Sequence, residues 1–256
     1  MSQTAAFASL VLALAATLAG CAPERGETPD AAQVDAWAEG PRIHSVQPDV
    51  GGWVIIGRAP PGDRVRAASS TGQTYGVNAA GDGRFHLAVP SGLALFELSS
   101  GAGEGASPVD GWLLLGANDA APAIVQAGAG ARVLAEGRGL KAVDFDSSGG
   151  VSLSGRAAPG ARVDIEVDGR IGAAGIADGE GRFDIKLPRP LSQQSHTFRA
   201  RWEGGADRAH TVTLGSPRPE GLVSQAPHEG EGVRIDWATP GGGAQATVIL
   251  VERAAP

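Results

Sequence analysis

The amino-acid sequence predicts an all-β protein, two tandem antiparallel β-sandwiches that follow a short leader and a tether. Three observations carry this reading. The segment Gly51 to Pro90 returns 98 residues later as Gly149 to Pro188, without a gap and with fifteen of forty positions identical. The identities are mostly turn residues: Gly57-Arg58-Ala59 with Gly155-Arg156-Ala157, Pro61-Gly62 with Pro159-Gly160, and Gly83-Arg84-Phe85 with Gly181-Arg182-Phe183. Shared turns with divergent residues between them mark a duplicated fold. Within the second copy, Arg162 to Val167 and Arg182 to Leu187 alternate polar and apolar residues, the two-residue period of a strand with one wet and one dry face. Nothing after the leader has helical periodicity, and short runs parted by turn residues are the pattern of a sandwich.

The front end is of another kind. Residues 1–20 carry no charged side chain, and Leu10 to Ala16 is an apolar run too short to span a bilayer but of signal-peptide length. Leu18-Ala19-Gly20 then precede Cys21, the only cysteine. These four residues resemble the lipobox of bacterial lipoproteins. The resemblance implies that residues 1–20 are removed as a signal peptide and that Cys21 is diacylated and N-acylated. Several acyl chains, at about 0.8 kcal/mol per buried methylene, anchor firmly where one does not. By the same resemblance, Ala22 in place of Asp implies the outer membrane of a Gram-negative cell, on its periplasmic side. A lone cysteine allows no internal disulfide, so the fold must stand on packing alone. Residues 21–41 are polar, proline-bearing and aperiodic, and are expected to form a flexible tether.

At 256 residues the chain can hold two domains of about 100 residues, each with its own core. The boundaries expected are 42–135 for the first and 136–256 for the second, the latter closed by a C-terminal hairpin. In the first, strands are expected over Arg42 to Gln47, Trp53 to Arg58, Arg64 to Ser69, Leu93 to Ser99 and Trp112 to Gly116, with Phe85, Leu87 and Val89 on one face of another. In the second, Arg162 to Val167 runs into Asp168-Gly169, a hairpin signal of the primed-turn type, and then residues 170–177. His196 to Trp202, Thr211 to Gly215, Val233 to Trp237 and Ala246 to Glu252 complete it. The Pro-Gly pairs at 61–62 and 159–160 suit a turn's first bend and a positive φ.

The pattern G-x-A-x-P-G-x-x-V, a hairpin, then A-D-x-x-G-x-F falls on Gly155, Ala157, Pro159, Gly160, Val163, Ala177, Asp178, Gly181 and Phe183. It resembles bacterial immunoglobulin-like modules of envelope and surface proteins. Carboxypeptidase-regulatory-like domains share parts of it. The resemblance covers about forty residues per copy and implies a fold, not a ligand. Neither copy carries the acidic, Asn-containing tail of calcium-rigidified repeats, and no cofactor is expected.

Net charge is −7, with no basic stripe, which argues against a nucleic-acid partner. The histidines at 44, 86, 196, 210 and 228 never fall at metal-ligand spacing, and His86 and His196 are expected on the surface. Asp144 and Asp146 alternate onto one strand face at the domain junction but lack the further ligands of a calcium loop. Gly137 to Ala142 matches the letters of a dinucleotide fingerprint without the helix it needs. No nucleophile elbow occurs, and no enzymatic activity is expected.

One contrast between the copies points to a contact. Ser152, Ser154, Thr211 and Thr213 sit between inward residues of the second copy, on a face expected to be solvated. Val54, Ile56, Trp112 and Leu114 take their places in the first. A strand apolar throughout is covered on both faces, so these four are the candidate interaction face. The cover is expected to be the second domain or its terminal hairpin, or else an envelope protein partner, or a glycan stacked on a tryptophan. The function expected is that of a non-catalytic structural or protein-interaction module at the envelope. The alternative is a glycan or peptidoglycan binder using exposed tryptophans.

Overall fold

The computed structural model describes residues 40–101, 107–108, 111–116, 121–228, 232–240 and 242–250. The leader, Cys21 and most of the tether lie outside the described residues, as does the end of the last expected strand. Residues from Trp37 onward form one compact unit. The described part of it holds strands and turns but no helix, and its sheets are antiparallel sandwiches in tandem.

Ten strands make the first sandwich. Sheet I has the order β1 (Arg42–Asp49), β2 (Gly52–Arg58), β5 (Arg84–Pro90). Sheet II has the order β10 (Arg132–Val133), β9 (Ala123–Val125), β8 (Trp112–Leu115), β6 (Ala94–Ser100), β3 (Arg64–Ser69), β4 (Thr74–Asn78), with β7 (Ser107–Pro108) also on β6. Between them lies a core of Ile43, Val46, Ile55, Phe85, Leu87 and Val89 from sheet I against Val65, Ala67, Phe96, Leu98, Leu113 and Leu115 from sheet II.

Eleven strands make the second. Sheet III runs β15 (Arg182–Lys186), β12 (Val151–Arg156), β11 (Gly139–Asp146), β21 (Ala244–Leu250), β20 (Gly232–Ala238), β19 (Val223–His228). Sheet IV runs β14 (Arg170–Ile176), β13 (Arg162–Val167), β16 (Ser195–Trp202), β17 (Gly205–Ala206), with β18 (His210–Thr213) also on β16. Val143, Phe145, Leu153, Phe183, Ile185 and Val248 face Val163, Ile165, Phe198, Ala200 and Val212 across its core.

A third apolar layer joins the sandwiches. Leu95, Leu114, Ala123, Val125 and Val133 of sheet II pack with Ala142, Ile235, Trp237 and Ile249 of sheet III. The chain is thus four sheets deep, with a dry layer in each of the three gaps. The outward face of sheet IV carries paired charges instead, with the exposed Ile171 and Ile176 of β14 beside them. Arg162 pairs with Asp164 at 3.0 Å and Arg201 with Glu166 at 2.6 Å, and the Ser195 and Thr213 hydroxyls meet at 2.7 Å.

The repeated punctuation has a packing cause. Gly57 lies under the ring of Phe85 and Gly155 under that of Phe183, each pair cross-strand partners. A Cβ on either glycine would meet the ring carbon Cζ at 2.6 Å as well as a facing carbonyl. Each Gly-Arg-Ala therefore needs its Gly-Arg-Phe partner. Asp168 and Gly169 both take positive φ, 50° and 78°, as a primed hairpin demands. Gly155→Ala is expected to cost about 2 kcal/mol or more, because overpacking a full core forces the neighbours to move. Chemical denaturation of the variant would measure it, and an unaltered midpoint would remove the ring-over-glycine account.

Candidate functional site

The four candidate face residues divide between two surfaces. Trp112 and Leu114, on β8, look out of sheet II into the layer shared with sheet III. Leu114 is fully buried there, and Trp112 meets Trp237 with ring centroids 5.9 Å apart at 66°. Val54 and Ile56, on β2, look out of sheet I instead and are half-buried, between Gln47 and Ala88 and between Ser45 and His86. The two pairs never meet. Ser152 and Ser154, expected on a solvated face, are 5% and 4% exposed. Their orientation is as the alternation predicts. Their burial comes from the first sandwich, whose segment 126–131 lies over them.

That segment is held by a cluster around Asp144, whose spacing from Asp146 placed it on a strand face at the junction but gave no sign of these partners. The Ala131 N–H donates to one Asp144 oxygen at 2.7 Å and the Thr247 hydroxyl to the other at 2.6 Å. The Thr247 oxygen in turn accepts the Trp237 indole N–H at 3.1 Å, so its single proton is directed at the carboxylate. Gln245 accepts from Gly128 N–H at 3.0 Å and donates to the Ala129 carbonyl at 3.2 Å. Asp184 accepts from Gly130 N–H at 3.1 Å, and Ser154 Oγ donates to the Ala131 carbonyl. Five backbone groups of one short loop thereby find partners on the second sandwich. These are groups that would be costly to bury alone.

Burial pushes the Asp144 carboxyl up to about 7, against the pull of its hydrogen-bond donors, chiefly Thr247 and Ala131. Asp146, on the same strand face, has a local duty: it accepts from Ser148 N–H at 2.7 Å and Gly150 N–H at 3.0 Å and caps its own turn. The two carboxylates thus bond to different backbone segments. Among the described residues no group of three His, Cys, Asp or Glu is arranged to hold a metal.

His86 is exposed. His196, expected on the surface, is 5% exposed, because it stands in phase with Phe198 and Ala200 on the inward side of β16. Its Nδ1 lies 2.7 Å from Asp168 Oδ2, and its Nε2 lies 3.0 Å from the Ser192 carbonyl and 3.3 Å from Ser192 Oγ. This resembles a nucleophile, base and acid in line. The Ser192 carbonyl, however, lies nearer to Nε2 than the hydroxyl does. The imidazole ties a loop to a hairpin. The Thr197 N–H and then His196 hold the Asp168 carboxyl below its ordinary range.

Trp53 leans on the first core and Trp202 on the second, both half-buried, while Trp237 is fully buried. No family model matches the chain, and a search of curated protein sequences returned no match.

Two outcomes follow from this geometry. Trp112→Ser is expected to cost about 3 kcal/mol by opening the layer between the sandwiches, whereas Val54→Ser is expected to cost under about 1 kcal/mol. Equal losses in urea denaturation would contradict the division of the face. Asp144 binds its proton more tightly folded than unfolded, since its value rises from 3.8 to about 7. Its contribution to stability is therefore complete below about pH 4 and lost as pH rises through about 7. The stability of the wild type should fall more steeply between pH 5 and 8 than that of Asp144→Asn; parallel slopes would dismiss the effect.

Proposed function

We propose that this chain is a non-catalytic, lipid-anchored protein of the cell envelope, held by Cys21 on the periplasmic side of the outer membrane and acting as a structural or protein-interaction module. The observation that supports the reading most is the stack of four sheets with three dry layers. Its polar side chains are engaged in holding that stack: Asp144 fixes the loop of the other sandwich, Asp168 a hairpin, and Asp207 the Leu140 N–H at 2.7 Å. A body built in this way transmits load and presents surfaces, and needs no moving part to do either. The half-buried Val54 and Ile56 are the apolar spot on the outward side of sheet I, and a partner contact belongs there. The resemblance of both repeats to bacterial immunoglobulin-like modules agrees with an envelope setting. The glycan reading has less support, since Trp53, Trp112 and Trp202 each lean on an apolar layer instead of standing free.

The anchor is tested in cells fed a labelled fatty acid. Wild type is expected to take up label and sediment with membranes, and Cys21→Ser to lose both. A Cys21→Ser variant that still sediments with membranes would leave the lipid anchor without a basis.

A further inference from the structure

A cleft of about 940 Å³ opens along the seam where β1 and β10 of the first sandwich approach β12 and β15 of the second. On a chain of net charge −7, its wall gathers four arginines, Arg42, Arg132, Arg156 and Arg182, against two carboxylates, Glu136 and Glu180. A smaller cavity of about 370 Å³ shares Arg132, Arg156 and Arg182 and adds Lys141, the carboxylates Asp178 and Asp184, and the apolar Ile176 and Phe183.

The arginines are not equally satisfied. Arg182 is engaged by Asp178 at 3.0 Å and Glu180 at 2.6 Å. Arg156 donates to the Glu180 carbonyl at 3.2 Å, a neutral partner. Arg132 is half-buried and lines both cavities, and its guanidinium makes no hydrogen bond or ion pair to the described residues. Arg156 and Arg182 are moreover direct cross-strand partners, and like charges in that register repel. Burial, and then the charge of Arg182, push the Arg132 guanidinium below its ordinary value; Glu180 and Asp178 offset this only in part. A fold that needed Arg132 for stability would give it a carboxylate. Half-buried, and with its guanidinium unpaired among the described residues, it instead suits a guest that brings the acceptors.

We propose that this seam is a binding site for a small ligand bearing an oxyanion, with Arg132 as its principal contact and Arg156 beside it. The phosphate or other oxyanion group sits between the two guanidiniums. The body of the ligand extends toward Ile176 and Phe183, in a space of the size that small-molecule sites occupy. The same chemistry is offered by a free phosphorylated metabolite and by a phospholipid headgroup, and the test separates them.

Inorganic pyrophosphate is titrated calorimetrically into the purified protein at low ionic strength, and phosphatidylcholine vesicles with and without phosphatidylglycerol are tested by co-sedimentation. Saturable one-to-one binding of pyrophosphate without vesicle binding assigns a free ligand. Binding to the phosphatidylglycerol vesicles that pyrophosphate displaces assigns a headgroup. In either case Arg132→Gln should weaken binding about tenfold or more. Arg84→Gln, at the place in the first sandwich equivalent to Arg182, should leave it unaltered. Because the Arg132 guanidinium has no hydrogen bond or ion pair among the described residues, and burial and Arg182 outweigh the pull of Glu180 and Asp178, Arg132→Gln should keep or raise the thermal midpoint of the unliganded protein. Absence of binding in both arms, equal affinity in Arg132→Gln, or a lowered midpoint in that variant would overturn the site.

Discussion

Trp112 and Trp237 meet edge to face in the gap between sheets II and III, and the position of one sandwich on the other depends on that gap being dry. Such an aromatic pair contributes about 0.5–1.5 kcal/mol beyond its buried area. Its larger effect is to set the spacing at which Asp144 can reach the loop of the neighbouring sandwich. The apolar half of the sheet III face, from Ala142 across to Trp237, supplies the attraction. The polar half, from Asp144 across to Asp184, supplies the register. Flat apolar surfaces slide over one another at little cost, whereas a carboxylate that must meet Ala131 N–H does not. The seam therefore has one geometry, and the arginine-lined cleft beside it inherits that definition.

Much of the strand order was legible in the chain because the duplication marks each turn twice. The strand Arg64–Ser69 has the bounds that its alternation and flanking turns indicate, and its copy Arg162–Val167 does too. What stayed hidden was contact between the copies. Ser152 and Ser154 point to the side that the alternation assigns them, but a period of two gives only the side of a sheet and is silent about what lies over it. His196 shares the phase of Phe198, so its burial could have been read; its polarity misled. The Asp144 cluster joins Ala131, Thr247 and Gln245, residues up to 117 positions from their partners, and no local pattern announces such a meeting. The three-residue strand Ala123–Val125 is too short to show a period at all.

The same limit applies to the cleft. Arg58 and Arg84 repeat as Arg156 and Arg182, and in both copies the pair sits cross-strand. Read in sequence, they are part of the turn punctuation. In the first copy a further arginine, Arg42, pairs with Arg58 from within the same sheet; in the second the further arginine, Arg132, comes from the other sandwich. Duplication followed by docking thus gave one copy surroundings that the other lacks.

The two copies meet through faces that do not correspond. The strands of sheet II repeat in sheet IV and those of sheet I in sheet III, yet sheet II packs on sheet III. A head-to-tail contact of this sort is not self-complementary, and identical units joined by it would add one to the next, into a ring or, where the rotation does not close, a fibre. The Arg201–Glu166 and Arg162–Asp164 pairs on sheet IV supply the missing stop, as a polar cap does at the end of a solenoid. Exchanging them for the apolar residues that sheet II carries would turn a two-unit molecule into a polymerising one.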